Sequence, residues 1–178
     1  MYRMKRIILA LSLVLCAVGL SAQGNIPLLD KAAGHRVVFD YRYLLSEAGK
    51  PFKEVTSGKV TVEDNAFRIS GLGLEIVSDG KTRWSKDPET CEVLIENVEK
   101  DNIFTNPAIL MSSYREHLDQ IKVKSSGADS LDAIVVFDER MSGEFILKNV
   151  KFFPKGDKKD FTLDVKSLGS SYVVTDLR

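Results

Sequence analysis

The sequence predicts one α+β domain, built mainly from an antiparallel sheet with helices on one face. Three observations lead to this fold class. The chain has 178 residues, which is the length of one domain with a sizeable core. Apolar and polar residues alternate in short runs over most of residues 35–96, and turn residues separate these runs. A later stretch has the spacing of an amphipathic helix.

The first 22 residues have the pattern of a secretory signal peptide. Three basic residues precede a 14-residue apolar run from Ile7 to Leu20, and a small residue, Ala22, follows. The run is short for a membrane-spanning helix, which needs about 20 residues. We therefore expect residues 1–22 to be cleaved and residues 23–178 to form a single exported domain.

Charge and cysteine content argue against a nucleic-acid-binding protein and against a domain stabilised by disulfides. Residues 23–178 contain 22 basic and 25 acidic residues, a net charge of −3, whereas nucleic-acid binding needs a basic surface. Cys16 leaves with the signal peptide, so Cys91 is alone and cannot form an intrachain disulfide. Because Cys91 alternates with Val93 and Ile95, we expect it to be buried in a strand.

The first half of the domain predicts a short helix followed by a meander of six strands. Pro27 near the start and Gly34 past the end indicate a helix over residues 26–33. Asp79-Gly80 is a strong signal for a tight hairpin between the fourth and fifth strands. The six strands begin near His35, Phe52, Phe67, Leu74, Thr82 and Cys91.

The second half predicts one longer helix and four more strands. Asn106 is a capping residue, and Pro107 suits the first helical position. A stripe of apolar residues at spacings of three and four then predicts a helix that packs on the sheet. The stripe consists of Met111, Tyr114, Leu118 and Ile121, and the strand-like runs are 133–137, 144–153, 161–165 and 172–177.

Few patterns in the chain indicate catalysis or metal binding. His35 and His117 have no partner at the spacing of metal ligands. The segment Gly71-Leu72-Gly73 lacks the third glycine and the following helix of a phosphate-binding loop. No strand-turn-helix nucleophile motif is present. We therefore expect no enzyme, no cofactor and no metal site.

Large apolar side chains are more informative than the polar ones. Aromatic residues recur in or beside almost every predicted element. They either fill an ordinary core or line a cavity that leaves room for an apolar guest. Periodicity alone leaves both alternatives open.

Several motifs carry a resemblance to a known family. The most specific is the hairpin Ser78-Asp79-Gly80-Lys81-Thr82-Arg83-Trp84, and the others are Asn65-Ala66-Phe67-Arg68-Ile69, Asn106-Pro107-Ala108-Ile109-Leu110 and the ending Val174-Thr175-Asp176-Leu177-Arg178. This pattern resembles LolA, the outer-membrane lipoprotein carrier family. The resemblance covers Phe39 to about Tyr114 well and the last third of the chain loosely.

The resemblance implies a fold and a function. The fold is α+β and mostly antiparallel, an incomplete, unclosed β-barrel or strongly curved sheet with helices packed on its concave face. The function is that of a monomeric periplasmic carrier, which binds lipoprotein acyl chains in an apolar cavity and delivers them toward the outer membrane. Its partners are acylated lipoproteins or lipids, an inner-membrane lipoprotein-release complex and an outer-membrane acceptor. The alternatives are a non-carrier lipid-binding or envelope-sensing protein and, on the same fold, a cofactor-free enzyme.

The expected cavity residues combine the apolar alternation with the resemblance. They are Phe39, Tyr41, Tyr43, Phe67, Ile69, Ile76, Trp84, Val93, Ile95, Leu110, Met111 and Tyr114. Phe67 matches the family's aromatic residue near the cavity mouth, and the hairpin residues Ser78, Asp79, Gly80, Lys81, Thr82 and Trp84 are expected to be structural. The family's lid-closing Arg lies four residues before that aromatic, where this chain has Glu63, so this gate does not carry over. The region after the helix is also short, which predicts that a strand or two is missing.

Overall fold

One large sheet dominates the structure, a computed structural model that describes residues 24–71, 73–99, 106 and 108–178. The predicted signal peptide, residues 1–22, and the predicted helix start at Pro107 lie outside these residues. The strands are β1 (Arg36–Glu47), β2 (Lys53–Glu63), β3 (Ala66–Gly71), β4 (Leu74–Ser78), β5 (Thr82–Asp87), β6 (Glu92–Asn97), β7 (Ile121–Ser126), β8 (Leu131–Val136), β9 (Met141–Phe153) and β10 (Val173–Asp176). The α-helices of the described part are α1 (Pro27–Ala32) and α2 (Ala108–Ser112).

The ten strands lie in the order β10-β6-β5-β4-β3-β2-β1-β9-β8-β7. Neighbouring strands are antiparallel except at one end, where the short β10 runs parallel to β6. The sheet is therefore mixed, and it is open, with β10 and β7 as its two edges.

The predicted fold class is wrong in its balance of elements and in its arrangement. The described helices contain only six and five residues, so the domain is mostly one large mixed sheet and not an α+β fold with helices laid on a concave face. Four strands, β7 to β10, follow α2, and the expected loss of a strand or two relative to the family stays a prediction.

The prediction of a long amphipathic helix is wrong, because the helix ends at Ser112 after little more than one turn. The Oγ atom of Ser112 donates a hydrogen bond to the carbonyl of Ala108 at 2.7 Å, a local bond that competes with continuation of the helix. A single 3₁₀ turn, Tyr114–His117, follows, and Ile121 is already the first residue of β7. The apolar stripe is thus divided among a helix, a turn and a strand. The capping prediction for Asn106 is confirmed, because its Oδ1 atom accepts the backbone N–H of Ala108.

Two other local predictions are wrong because turn chemistry overrides apolar alternation. Residues 161–165 form no strand, since the side chains of Asp157 and Asp164 cap two 3₁₀ turns there, Lys158–Phe161 and Val165–Ser167. Cys91 lies in the turn before β6 with a φ of 56°, and it is only half-buried. It closes a hairpin turn rather than filling a strand interior.

The first helix and the six-strand meander are confirmed. The strands β1 to β6 pair in sequence order as antiparallel neighbours. The hairpin between β4 and β5 also forms as expected, because Asp79 Oδ1 accepts the backbone N–H groups of Lys81 and Thr82 at 2.8 Å each. Gly80 supplies the positive φ, 89°, that the turn requires.

Register divides the sheet into two faces, which we call the core face and the opposite face. Residues directly opposite in antiparallel strands point to the same side. The pairs Val37–Val62, Val62–Phe67 and Ile69–Ile76 define the core face. The pairs Val77–Trp84 and Trp84–Ile95 lie on the opposite face. The main hydrophobic cluster, which includes buried residues of both helices, contains the core-face residues.

A group of hydrogen bonds links α1 to the 3₁₀ turn Tyr114–His117. The Tyr114 hydroxyl donates to Asp30 Oδ1 and accepts the backbone N–H of Ile26 at 3.2 Å, and Arg115 donates to Asp30 at 2.7 Å. The hydrogen bond from Tyr114 lowers the pKa of Asp30, burial opposes this, and Arg115 lowers it further.

We predict that Asp30 stabilises the fold above about pH 4, the ordinary pKa of an aspartate. Since its folded pKa is lowered, this contribution is complete above the unfolded pKa and is lost as the pH falls through the folded pKa. NMR titration of the Asp30 carboxyl should show the low pKa. The difference in unfolding free energy between the native chain and Asp30→Asn should shrink on acidification, and a pH-independent difference would contradict the assignment.

Phe67 belongs to the core and not to a cavity mouth, because its exposed fraction is 0% and it packs within the main cluster. We predict that Phe67→Ala lowers the free energy of unfolding by about 3–5 kcal/mol. The control is Phe153→Ala, since Phe153 is 44% exposed at the end of β9, and it should cost less than about 1 kcal/mol. Denaturant titrations measure both, and equal losses would place Phe67 outside the core.

Candidate functional site

An apolar pocket lies on the core face of the sheet and has a volume of about 260 Å³. Strands β1, β2, β3, β4 and β9 line it, and α2 contributes one side chain. Its lining residues are Phe39, Tyr41, Tyr43, Val55, Thr56, Val60, Ile69, Gly71, Leu74, Ile76, Leu110, Phe145 and Leu147. Volumes of roughly 300–1,000 Å³ are usual for small-molecule sites, so this pocket is slightly smaller than usual and suits a small guest.

The alternation of β1 gives the pocket its length. Phe39, Tyr41 and Tyr43 are successive core-face residues of this strand, so the pocket extends about 13 Å along it at roughly 3.3 Å per residue. Across the strand pair, Tyr43 lies opposite Thr56 and Tyr41 lies opposite Gly58. The Tyr41 ring therefore faces a position without a side chain, which leaves space above β2.

Two exposed apolar residues mark the mouth of the pocket. Val55 and Leu74 both line it, yet 47% and 37% of their surfaces remain exposed.

Gly71 also lines the pocket, and a Cβ atom there would come within 2.5 Å of the Ser57 carbonyl oxygen. The close approach of β2 and β3 thus depends on this glycine.

Polar groups in the pocket are few. The Tyr41 and Thr56 hydroxyl oxygens are 3.2 Å apart and form a hydrogen bond. The Tyr43 ring packs on Phe145 with 4.8 Å between centroids, and burial raises the pKa of Tyr43 far above its ordinary value. Among the described residues, none that lines the pocket carries a charge. The surface suits an apolar guest with little polar chemistry.

The expected cavity residues divide into three groups. Those that line the pocket are Phe39, Tyr41, Tyr43, Ile69, Ile76 and Leu110. Phe67, Met111 and Tyr114 are buried in the core cluster outside the pocket lining. Trp84, Val93 and Ile95 lie on the opposite face, because Trp84 pairs with Val77 and Ile95. Apolar alternation identifies a face in each strand but not which side of the sheet that face joins.

Sequence reasoning missed six lining side chains in β2, β4 and β9. They are Val55, Thr56, Val60, Leu74, Phe145 and Leu147. All of them lie in predicted strand runs, so the alternation was visible. What was not visible is that β9, far along the chain, pairs with β1 and brings Phe145 opposite Tyr43.

Glu63, at the position of the family's gating Arg, lies on the opposite face and anchors the C-terminal segment. Arg36 Nε donates to its Oε2 atom at 2.8 Å, and the Gly156 N–H donates to the same atom at 2.9 Å. Arg36 also donates to Asp160 at 2.6 Å. Burial would lower the pKa of Arg36, but the bonds to Asp160 and Glu63 raise it. Glu63 is therefore the buried partner of an ion pair and does not reach the pocket.

Neither a metal-binding cluster nor a membrane-spanning helix is seen in the described part of the chain. No group of three or more His, Cys, Asp or Glu residues there could hold a metal ion. None of its helices has the length and apolar character needed to cross a membrane.

Comparisons with known proteins add little to this geometry. No family model matches the chain, and no curated protein matches it. Among solved structures, an uncharacterized conserved protein from Thermus thermophilus is similar, with a TM-score of 0.47 and 8% sequence identity. The similarity covers 83% of this chain and 94% of that one. The function must therefore be argued from the pocket itself.

We predict that Glu63→Ala destabilises the protein by about 1–3 kcal/mol, because the Gly156 N–H and the Arg36 guanidinium lose their acceptor. Glu54→Ala is the matched control, since Glu54 pairs with Arg42 on an exposed surface and such pairs contribute about 0–1 kcal/mol. Thermal and denaturant unfolding measure both. A Glu63 variant as stable as the Glu54 variant would contradict the anchoring role.

Proposed function

We propose that the protein binds acyl chains of lipoproteins or lipids in the core-face pocket and acts as their carrier. The observation that supports this is the pocket itself, which is elongated, lined by uncharged and mostly apolar residues, and bordered by the exposed Val55 and Leu74. An acyl chain is slender and apolar, and it requires no catalytic group. The protein would therefore hold its cargo mainly by apolar burial.

Energetics are consistent with a carrier. Each CH₂ group removed from water contributes about 0.8 kcal/mol, so even a partly buried chain is held by several kcal/mol. The pocket of about 260 Å³ buries a limited length of chain. A site that encloses the whole cargo would release it slowly, because dissociation would expose all of the buried surface at once. Limited burial thus favours transfer to a second site.

The proposal includes location and partners. A carrier of this kind would act in the periplasm, receive acylated cargo from an inner-membrane release complex and pass it to an outer-membrane acceptor. The export signal predicted over residues 1–22 and the resemblance of the Ser78–Trp84 hairpin to the lipoprotein carriers support this setting.

We predict that Val55→Glu weakens acyl binding while the protein stays folded. Val55 lies at the pocket mouth and is exposed, so the new carboxylate stays near water but repels an apolar chain. The matched control is Val123→Glu, because Val123 is a similarly exposed strand valine, at 40%, outside the pocket. Titration of residues 23–178 with a fluorescent long-chain fatty acyl ester should show saturable 1:1 binding, weakened about tenfold or more only by Val55→Glu.

Two outcomes would count against the proposal. Absence of saturable binding, or equal weakening by both variants, would contradict a ligand site at this pocket. Saturable binding without transfer of an acylated peptide between donor and acceptor vesicles would contradict the carrier role. That result would instead favour a lipid-binding or envelope-sensing protein.

A further inference from the structure

A pair of hydroxyl groups interrupts the apolar wall of the pocket. Tyr41 on β1 and Thr56 on β2 are diagonal neighbours across the strand pair, since Tyr41 lies opposite Gly58 and Thr56 lies opposite Tyr43. Their hydroxyl oxygens are 3.2 Å apart, and both residues are half-buried and line the pocket. The absence of a side chain at Gly58 lets the Tyr41 hydroxyl reach along β2 toward Thr56.

This pair retains one hydrogen-bond donor. Each hydroxyl has one proton, and the bond between the two oxygens uses only one of them. The second proton can be directed toward a guest, whichever of the two hydroxyls donates within the pair. A carbonyl oxygen is the natural acceptor, because it brings no proton of its own and is found at the head of every acyl chain.

The charge of the guest's head group then decides affinity. A neutral ester or amide carbonyl can accept the free proton at the cost of a small desolvation. An ionised carboxylate can accept it too, but its charge would enter a pocket whose described lining residues include no cation. Burying a carboxylate without a counter-charge is far more costly than burying an ester.

We propose that the pocket is selective for acyl chains joined through a neutral ester or amide carbonyl, over free fatty acids, because the Tyr41–Thr56 hydroxyl pair binds the carbonyl and the described lining residues offer no cation to a carboxylate. This inference rests on the proposed function, since it names the class of acyl ligand that the same pocket takes. It assigns Tyr41 and Thr56 as specificity-determining residues.

The first experiment compares three ligands of one chain length by calorimetry, at pH 7 and below micelle-forming concentrations. They are methyl dodecanoate, dodecanoate and 1-chlorododecane, which has no oxygen to accept a hydrogen bond. We expect the ester to bind about tenfold or more tightly than the carboxylate. The ester should also bind about fivefold more tightly than the chloroalkane, which corresponds to one neutral hydrogen bond.

The second experiment removes the hydroxyl pair. The double variant Tyr41→Phe, Thr56→Val should bind the ester and the chloroalkane equally, while the penalty against the carboxylate remains. The double variant Tyr41→Phe, Thr56→Ala serves if the first one does not fold, since both hydroxyls must be removed. Thr61→Val is the control, because it makes the same change in β2 on the opposite face, where Thr61 pairs with Arg68; it should leave all three affinities unchanged.

The outcomes separate this inference from the proposed function. Equal binding of ester and carboxylate, or tighter binding of the carboxylate, overturns the selectivity but leaves acyl binding intact. An ester preference over the chloroalkane that persists in the double variant overturns the role of the hydroxyl pair. If none of the three ligands binds saturably, the proposed function fails and the selectivity fails with it.

Discussion

The pairing of β1 with two neighbours is the constraint on which the rest of the structure depends. This 12-residue strand lies between β2 and β9 and pairs with both along most of its length. Its register with each neighbour determines which side chains share a face. Phe39, Tyr41 and Tyr43 meet Val60, Thr56, Leu147 and Phe145 on the core face only in this register. A shift by one residue would exchange the two faces and remove the pocket.

One irregularity in that pairing is needed to keep the core face apolar. Leu147 pairs with Tyr41 and Phe152 pairs with Val37, although five positions separate the two β9 residues. A regular strand would send them to opposite faces, because side chains alternate with a period of two. The register shifts between Val38 and Asp40, and Asn149 adopts a φ of 55° there. This bulge inserts one residue and returns the alternation to the core face.

The two faces of the sheet have different chemistry. The opposite face holds the Arg36–Glu63 ion pair and the C-terminal segment tied to it through Gly156 and Asp160. The core face holds both the main cluster and the pocket, which share Phe39, Val60, Leu110 and Leu147. Substitutions of Glu63 or of buried cluster residues therefore act on folding, whereas substitutions at the exposed pocket mouth act on what the pocket accepts.

The amino-acid sequence by itself determined the local features of this protein, and tertiary structure decided the site. Alternation, the Asp79-Gly80 turn and the Pro27 helix start are encoded over a few residues, so α1 and the meander from β1 to β6 could be predicted. The end of the helix after Asn106 could not be predicted. Met111 and Ile121 satisfy a helical spacing, but the helix ends at Ser112 and Ile121 pairs with Val135 in a strand. Of the residues expected to line a cavity, those of β5 and β6 lie on the opposite face, whereas Phe39, Tyr41, Tyr43, Ile69, Ile76 and Leu110 line the pocket. Alternation defines two faces in each strand, and only long-range pairing shows which one is the core face.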